Sequence, residues 1–334
     1  MRNFFYLLYY LVWLLLFLIL AFKQPGDPDY DSYREIFIYS DSTFNRLIEP
    51  GYNYINHFFR VNEFAYALVL FSAAILLIVP KMWFITRYST NKWLSLIIYI
   101  STLYIHYDFI AVRQGIALSF IFVSFYFLID TKPLGFIIMI LIASLFHISS
   151  IIVLPSYFIC RWASNLYVVS VGLAIFILLA ISKVSLIPTD QIALILGFSS
   201  FVSTKLSNYA TPSDFVLSSK DILLYMLVAA SLYKNKYLSN YQSVTLGLVS
   251  CGLIVSIISI DIPMLFFRIR SYFTSFEIIA IPLSIQMLFA KSRYRALLML
   301  ILYSLFSFVY SYSAISFIGS IYDRGFHYYF FHLL

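Results

Sequence analysis

The stretch RQGIALSFIFVSFYFLID, residues 113–130, indicates the class of fold for the whole chain. Beyond its third residue it is almost entirely apolar, and such a run crosses a bilayer as a helix. Its start is unusual, because a helix N-terminus already carries partial positive charge and Arg113 adds more. An anion bound at this helix start would explain the extra positive charge. Arg113 would supply charge, Gln114 would supply polar contacts, and Gly115 would allow the anion to approach the backbone. The alternative is an arginine paired with Asp108 at the membrane rim.

The composition extends this interpretation to the whole chain. Of the 334 residues, 62% are hydrophobic and 11% are charged, whereas an ordinary soluble domain has about 25% charged residues. Several apolar windows of spanning length follow one another along the chain. We therefore predict an all-α, polytopic membrane protein in which residues 1–334 form a single transmembrane domain.

The predicted spans are apolar runs separated by polar turns or loops. They lie at about 4–22, 63–80, 93–107, 112–129, 166–187, 220–233, 243–261, 270–290 and 296–316. The first run follows a basic start, as a signal peptide does, but no small-residue cleavage site comes after it, so we expect an uncleaved span. Residues 134–160 are ambiguous, because they could cross once or fold as a short hairpin around Phe146 and His147.

The positive-inside rule decides between these two topologies. Short basic turns occur at 81–92, 234–236 and 291–295, and only a hairpin places all three on one side of the membrane. The prediction is then about eleven membrane segments, with the N-terminus cytoplasmic and the C-terminus outside. The long polar loops 23–62 and 188–219 face outward and are predicted to form a substrate-binding lid.

Three helix starts on the predicted outer side carry basic side chains, where acidic or small polar residues are usual. They begin at Arg113, at His147 and at Arg268 with Arg270. The guanidinium of arginine can donate two parallel hydrogen bonds to phosphate oxygens. We therefore predict that these three helix starts share one anion site. The alternative is three separate rim charges that snorkel to water. Glu277, seven residues after Arg270, is either functional because of its depth or paired structurally with an arginine.

Further candidates lie near this predicted site. His147 could act as a general base, donate a hydrogen bond to an anion, or tie the hairpin together. The outward loop 23–62 interleaves aromatic and charged side chains, including Tyr30, Arg34 and Tyr52. Such side chains hold sugars by stacking and hydrogen bonding; the alternative is an interfacial aromatic belt.

The sequence lacks the motifs that indicate several other classes of function. The basic residues are scattered between apolar runs, without the stripe that indicates nucleic-acid binding. No glycine-rich phosphate loop or metalloprotease motif occurs. The two cysteines, Cys160 and Cys251, belong to no metal or redox motif and are expected to be free thiols. We therefore expect no metal ion and no cofactor.

Four motifs together resemble the EpsG-type, Wzy-like polysaccharide polymerase family. They are YxxYRxxF at 30–37, EPGY at 49–52, RQGIA at 113–117 and FHISS at 146–150. Each motif is weak alone, but their order and spacing are fairly specific. The resemblance runs from about residue 29 to residue 160 and is mainly topological afterwards, apart from the later arginines.

The resemblance implies a metal-independent glycosyltransferase of the bacterial inner membrane that builds O-antigen or a similar surface glycan. Such an enzyme moves the growing glycan from undecaprenyl pyrophosphate onto a hydroxyl of the next lipid-linked repeat unit, at the outer face. The expected partners are the lipid-linked oligosaccharide, membrane lipid and a chain-length regulator, with no nucleic acid. Two other classes stay open: a flippase or transporter of a lipid-linked oligosaccharide, and a membrane acyltransferase.

The resemblance also suggests roles for the candidate residues. The donor pyrophosphate would be bound by Arg113, Gln114, Arg268 and Arg270. The catalytic residues would be Arg113, which stabilises the leaving group, and either His147 or Glu49, which takes the proton of the acceptor hydroxyl. The acceptor sugars would be held by Tyr30, Arg34 and Tyr52.

Overall fold

The computed structural model describes residues 2–40, 48–182, 219–258, 263–290 and 292–322, and these ranges are helical with no strand. The predicted all-α membrane fold is confirmed, because long apolar helices satisfy their own backbone hydrogen bonds as lipid requires. The predicted outward loop 188–219 lies outside the described residues except for its last residue.

The chain divides into two compact units, of which the first contains residues 1–154 and 301–334. Its α-helices are α1 Arg2–Ala21, α2 Tyr30–Ile38, α3 Pro50–Val61, α4 Tyr66–Tyr88, α5 Lys92–Tyr99, α6 Val112–Ile129 and α7 Pro133–Ser144. A π-helix, Ile100–Ile110, connects α5 to α6, and a 3₁₀ helix, Ile148–Val153, follows α7.

The second unit contains residues 155–300. Its helices are α8 Ser156–Ala163, α9 Leu166–Ser182, α10 Ser219–Lys234, α11 Asn240–Ile258, α12 Pro263–Thr274 and α13 Glu277–Phe289. The last helix, α14 Arg295–Tyr322, begins in this unit and continues into the first. Helices α8 and α11 pack closely at Gly247, where an added Cβ would overlap the backbone carbonyl of Cys160.

The predicted count of about eleven membrane segments is not confirmed. In the described ranges, seven helical segments are long and apolar enough to cross a membrane. The number is eight if α8 and α9, which meet at an angle of 93°, form one broken span. Helix α7, with 12 residues, is shorter than the roughly 20 residues that a bilayer requires.

The predicted hairpin at 134–160 has a different form from the one expected. Its first arm is helix α7, but the second arm is divided into the six-residue 3₁₀ helix and the eight-residue α8. The 3₁₀ helix packs against α7. The chain therefore turns back at Phe146 and His147, as expected, but without two matched helical arms.

The segment 23–62 was predicted to be a polar loop, and the structure shows that much of it is helical. It contains α2 and α3, and Pro50 occupies the first turn of α3, where its missing N–H costs nothing. Glu63 then has a φ of 57°, which ends this segment and redirects the chain into α4. The segment therefore presents side chains from two ordered helices.

Helix α4 continues beyond the predicted end of its span and carries Lys81 into the interior. The apolar run stops at Pro80, but the helix passes through this proline and ends at Tyr88. Lys81 was predicted to lie in a basic turn, whereas it is 0% exposed. It lies about 22 Å along the axis from the helix start, from 15 residues at about 1.5 Å each. Only Arg87 and Lys92 of this predicted turn therefore lie at the helix ends.

Helices α4 and α6 form the centre of the first unit. The rings of Phe84 and Phe122 stack with centroids 4.4 Å apart. The hydroxyl of Ser119 donates to the carbonyl of Leu77 at 3.2 Å, which ties the two helices together near the start of α6. The start of α6 is thus packed beside the middle of α4.

Candidate functional site

Arg113 lies in the first turn of α6 and forms an ion pair with Glu49. Its side chain is 30% exposed and that of Glu49 is 16% exposed, so solvent reaches both groups. The buried Nε of Arg113 has no hydrogen-bond partner among the described residues. The alternative pairing of Arg113 with Asp108 is wrong, because Asp108 is buried and bound elsewhere.

Tyr33 of α2 forms one wall beside the arginine. Its hydroxyl accepts a long hydrogen bond, 3.4 Å, from the backbone N–H of Arg113. Its ring centroid lies 6.0 Å from the guanidinium carbon, at the outer limit of a cation–π contact. Tyr33 was not predicted to belong to the site, although it lies three residues after Tyr30 and therefore on the same face of α2.

Tyr52, which was predicted to bind sugar, packs against Tyr33. It is 1% exposed, and its ring meets that of Tyr33 edge to face with centroids 5.5 Å apart. The structure therefore places Tyr52 in the wall of the site and not on a surface that sugars can reach. Burial raises the pKa of Tyr33 and raises that of Tyr52 further, so both phenols stay neutral at physiological pH.

The other two predicted sugar-binding residues lie on α2, one helical turn apart. Arg34 is exposed and Tyr30 is partly exposed. The ring of Tyr30 contacts that of Tyr66 edge to face, with centroids 6.0 Å apart. These two side chains are therefore accessible to a ligand, and their predicted role in sugar binding stays a prediction.

The start of α3, which directly follows Glu49, is docked on the end of α7. The backbone N–H of Gly51 donates to the carbonyl of Leu145 at 2.8 Å. A Cβ at this glycine would lie 2.8 Å from the same oxygen, so only glycine permits the approach. Because His147 follows Leu145 by two residues, the turn with His147 and the segment with Glu49 belong to one local assembly.

His147 makes a short contact inside its own turn. Its Nδ1 lies 2.6 Å from the hydroxyl of Ser149, and its backbone N–H donates to the carbonyl of Ala143 at 3.0 Å. The ring is partly exposed. These bonds are compatible with tying the turn together and with orienting the imidazole for proton transfer, so the predicted roles stay open.

A second group of polar side chains contacts the first turn of α6 and was not predicted to belong to the site. Asp108 accepts from the ammonium of Lys81 at 2.5 Å and from the hydroxyl of Tyr99 at 2.5 Å. Lys81 also donates to the carbonyl of Gly115 at 2.9 Å. Asp108 was expected at the outer rim, but both it and Lys81 are 0% exposed. Lys81 and Asp108 each directly follow the end of a predicted apolar span, and this position was the available signal.

Gly115 has a different role from the predicted one. A Cβ there would lie 2.7 Å from the carbonyl oxygen of Tyr107 and 2.8 Å from Oδ1 of Asp108. The missing side chain therefore lets the end of the π-helix pack against α6, and the space is filled by protein. Gln114 is likewise buried, at 3% exposed. Of the three residues at this helix start, Arg113 is the one that solvent reaches.

The predicted anion-binding residue Arg270 has a protein partner within the second unit. Arg270 forms an ion pair with Asp221, and both are buried. Glu277 Oε1 lies 3.9 Å from the ammonium of Lys220. A two-residue turn separates α12, which carries Arg270, from α13, which begins at Glu277.

The predicted anion site thus draws on both units. Arg113 and His147 belong to the first, whereas Arg268, which is exposed, and Arg270 belong to the second. A shared site made of all four stays a prediction. Within the described part of the chain, no three His, Cys, Asp or Glu side chains gather closely enough to hold a metal ion.

Comparisons with known proteins support the resemblance seen in the motifs. The family model described as the EpsG family matches residues 6–330, nearly the whole chain. No match is found among curated proteins or among solved structures. The family includes Wzy-like polymerases, and the helices described above embed this chain in a membrane. The chain therefore belongs to the EpsG family, whose members are related to polysaccharide polymerases.

Proposed function

We propose that this protein is a polysaccharide polymerase of the outer face of the bacterial inner membrane. It transfers a growing glycan from undecaprenyl pyrophosphate onto a hydroxyl of the next lipid-linked repeat unit. The observation that carries the proposal is Arg113, a partly exposed guanidinium at a helix start beside the carboxylate of Glu49. Family membership supports the class of reaction.

Arg113 has the means to bind a phosphate oxygen. Glu49 accepts from Nη1, and the side chain of Arg113 is 30% exposed, so a ligand can reach part of the guanidinium. The N-terminus of α6 adds partial positive charge at the same place. A pyrophosphate that accepts from this guanidinium would gain a charge-assisted hydrogen bond. The same contact would stabilise the negative charge that develops as the anomeric carbon–oxygen bond breaks.

The transfer needs a base as well as this leaving-group contact. The acceptor hydroxyl oxygen forms a bond to the anomeric carbon, and the bond from that carbon to the pyrophosphate oxygen breaks. The hydroxyl proton passes to the carboxylate of Glu49 or to the imidazole of His147. Undecaprenyl pyrophosphate leaves with the electron pair of the broken bond, and no metal ion takes part in the proposed step.

A flippase is the competing proposal, and the buried pair Lys81 and Asp108 is the feature that favours it. Transporters carry polar residues at mid-membrane depth, where they line a substrate pathway. In this protein both side chains are 0% exposed and satisfy each other. They therefore line no surface that a substrate reaches, and the polymerase is the better-supported proposal.

The experiment restores either the wild-type protein or Arg113→Ala to cells that lack it, and compares the surface glycan by gel electrophoresis. We expect a ladder of chain lengths with the wild type and a single repeat unit with the variant. Arg87→Ala is the matched control, because Arg87 is an exposed arginine at the far end of α4 and should keep the ladder. Protein levels in the membrane must be equal in all strains.

Two results would contradict the proposal in different ways. A normal ladder with Arg113→Ala would remove this arginine from the site. Complete absence of surface glycan in cells without the protein, with not even one repeat unit, would indicate a flippase.

A further inference from the structure

The π-helix before Arg113 is held at its end by buried charges. π-Helices are rare, occur mostly as single turns and are frequent at functional sites, whereas this one spans Ile100–Ile110. Near its end, Asp108 is fully buried between Lys81 of α4 and Tyr99 of α5. A carboxylate at this depth requires such partners, because an unpaired buried charge is strongly unfavourable.

The same cluster reaches the first turn of α6. The ammonium of Lys81 bridges the carboxylate of Asp108 and the carbonyl of Gly115, two residues after Arg113. The hydroxyl of Ser119 donates to that carbonyl as well, at 3.2 Å. The backbone that carries Arg113 is therefore fixed at Gly115 by a charge-assisted hydrogen bond from Lys81 and by close packing.

A second lysine holds the adjoining residue of the π-helix. The ammonium of Lys23, just after α1, donates to the carbonyl of Phe109 at 2.5 Å and lies 2.8 Å from Asp27. Burial lowers the pKa of Lys23, and the charge of Asp27 opposes that shift. Lys81 of α4 and Lys23, which follows α1, therefore contact consecutive residues, Asp108 and Phe109, shortly before the chain turns into α6.

We infer that Lys81, Asp108 and Tyr99 are positioning residues that aim the guanidinium of Arg113 at an anionic ligand. The inference deepens the proposed function and rests on it for the identity of that ligand, a lipid pyrophosphate. None of the three touches the ligand, since Lys81 and Asp108 are 0% exposed and so is Tyr99. They act through the hydrogen bonds that set the backbone of residues 113–115.

The test uses Tyr99→Phe, because it removes one hydrogen bond to Asp108 and keeps the ring that stacks on Trp13. Tyr104→Phe is the matched control. Tyr104 is a buried tyrosine whose hydroxyl donates to the carbonyl of Leu16 at 2.8 Å, so its removal costs a comparable bond without touching Asp108. Both variants keep the two charges, so the full chain is expected to fold.

The measurement is the affinity of the purified full-length protein for farnesyl pyrophosphate, a soluble polyprenyl pyrophosphate, in detergent without metal. We expect Arg113→Ala to weaken binding by tenfold or more. Tyr99→Phe should weaken it by roughly three- to tenfold, and Tyr104→Phe should match the wild type. In the double variant Tyr99→Phe with Arg113→Ala, the affinity should equal that of Arg113→Ala alone, because the two residues act in one chain of contacts.

The outcomes separate this inference from the proposed function. If Arg113→Ala binds the probe as the wild type does, the proposed pyrophosphate site fails. If Arg113→Ala weakens binding while Tyr99→Phe behaves like Tyr104→Phe, the site stands and the positioning role is wrong. The positioning role is also wrong if the effects of Tyr99→Phe and Arg113→Ala simply multiply, because a general loss of stability would act in both backgrounds.

Discussion

Neutralising Asp108 alone should destabilise the protein far more than neutralising Asp108 and Lys81 together. In Asp108→Asn, the ammonium of Lys81 stays fully buried and loses the carboxylate that lies 2.5 Å away. Removing one partner of a buried ion pair costs about 3–5 kcal/mol, because the remaining charge is uncompensated. In the double variant Asp108→Asn with Lys81→Met, neither charge remains, and replacing a buried pair by apolar groups is often neutral.

The assay is the temperature at which the purified full chain loses its monodisperse gel-filtration peak in detergent. A loss of about 3–5 kcal/mol corresponds to a fall of roughly 4–7 °C for a chain of this size. The double variant should recover most of that difference. Asp130→Asn is the control. Asp130 pairs with Lys132 at 3.0 Å on an exposed turn, where an ion pair contributes little to the free energy of unfolding.

Two results would refute this reasoning. If Asp108→Asn melts at the wild-type temperature, the buried carboxylate is not ionised as the contact with Lys81 requires. If the double variant is less stable than Asp108→Asn, the loss arises from packing around the side chains and not from an uncompensated charge.

Gly247→Ala should lower the melting temperature in the same assay, because its Cβ would overlap the carbonyl of Cys160, whereas Gly319→Ala meets nothing within 4 Å and should match the wild type. Equal melting of the two variants would show that α8 and α11 do not pack as described. Glu49→Gln and His147→Ala should identify the residue that accepts the proton of the acceptor hydroxyl. The substitution at that residue should abolish the glycan ladder and leave the binding of farnesyl pyrophosphate intact. Retention of the full ladder by both variants would exclude both residues as the base.

Elements that depend on local pattern were predictable from the sequence. The predicted span 112–129 corresponds to α6, Val112–Ile129, because an apolar run in lipid satisfies its backbone only by forming a helix. The motifs also identified the family that the whole-chain comparison supports. Arg113 was singled out because a positive charge at a helix start is unfavourable unless something binds it.

Features that depend on distant partners were not predictable in this way. Lys81 was placed with Arg87 and Lys92 in the basic turn at 81–92, and a lysine without a partner is costly within a membrane span. Its partner Asp108 lies 27 residues further along the chain. Gly115 was interpreted as access for a ligand, whereas the neighbours that require glycine are Tyr107 and Asp108 of the π-helix.

The sequence by itself determined an all-α membrane protein of the EpsG family and pointed to Arg113, because hydropathy, motif order and helix-start charge are local properties. The tertiary structure decided that Glu49, 64 residues before Arg113, is its ion-pair partner. It also decided that Asp108 is not that partner and forms a buried ion pair with Lys81. These pairings are set by which helices pack together, and no local pattern encodes the distance between side chains that are remote in the chain.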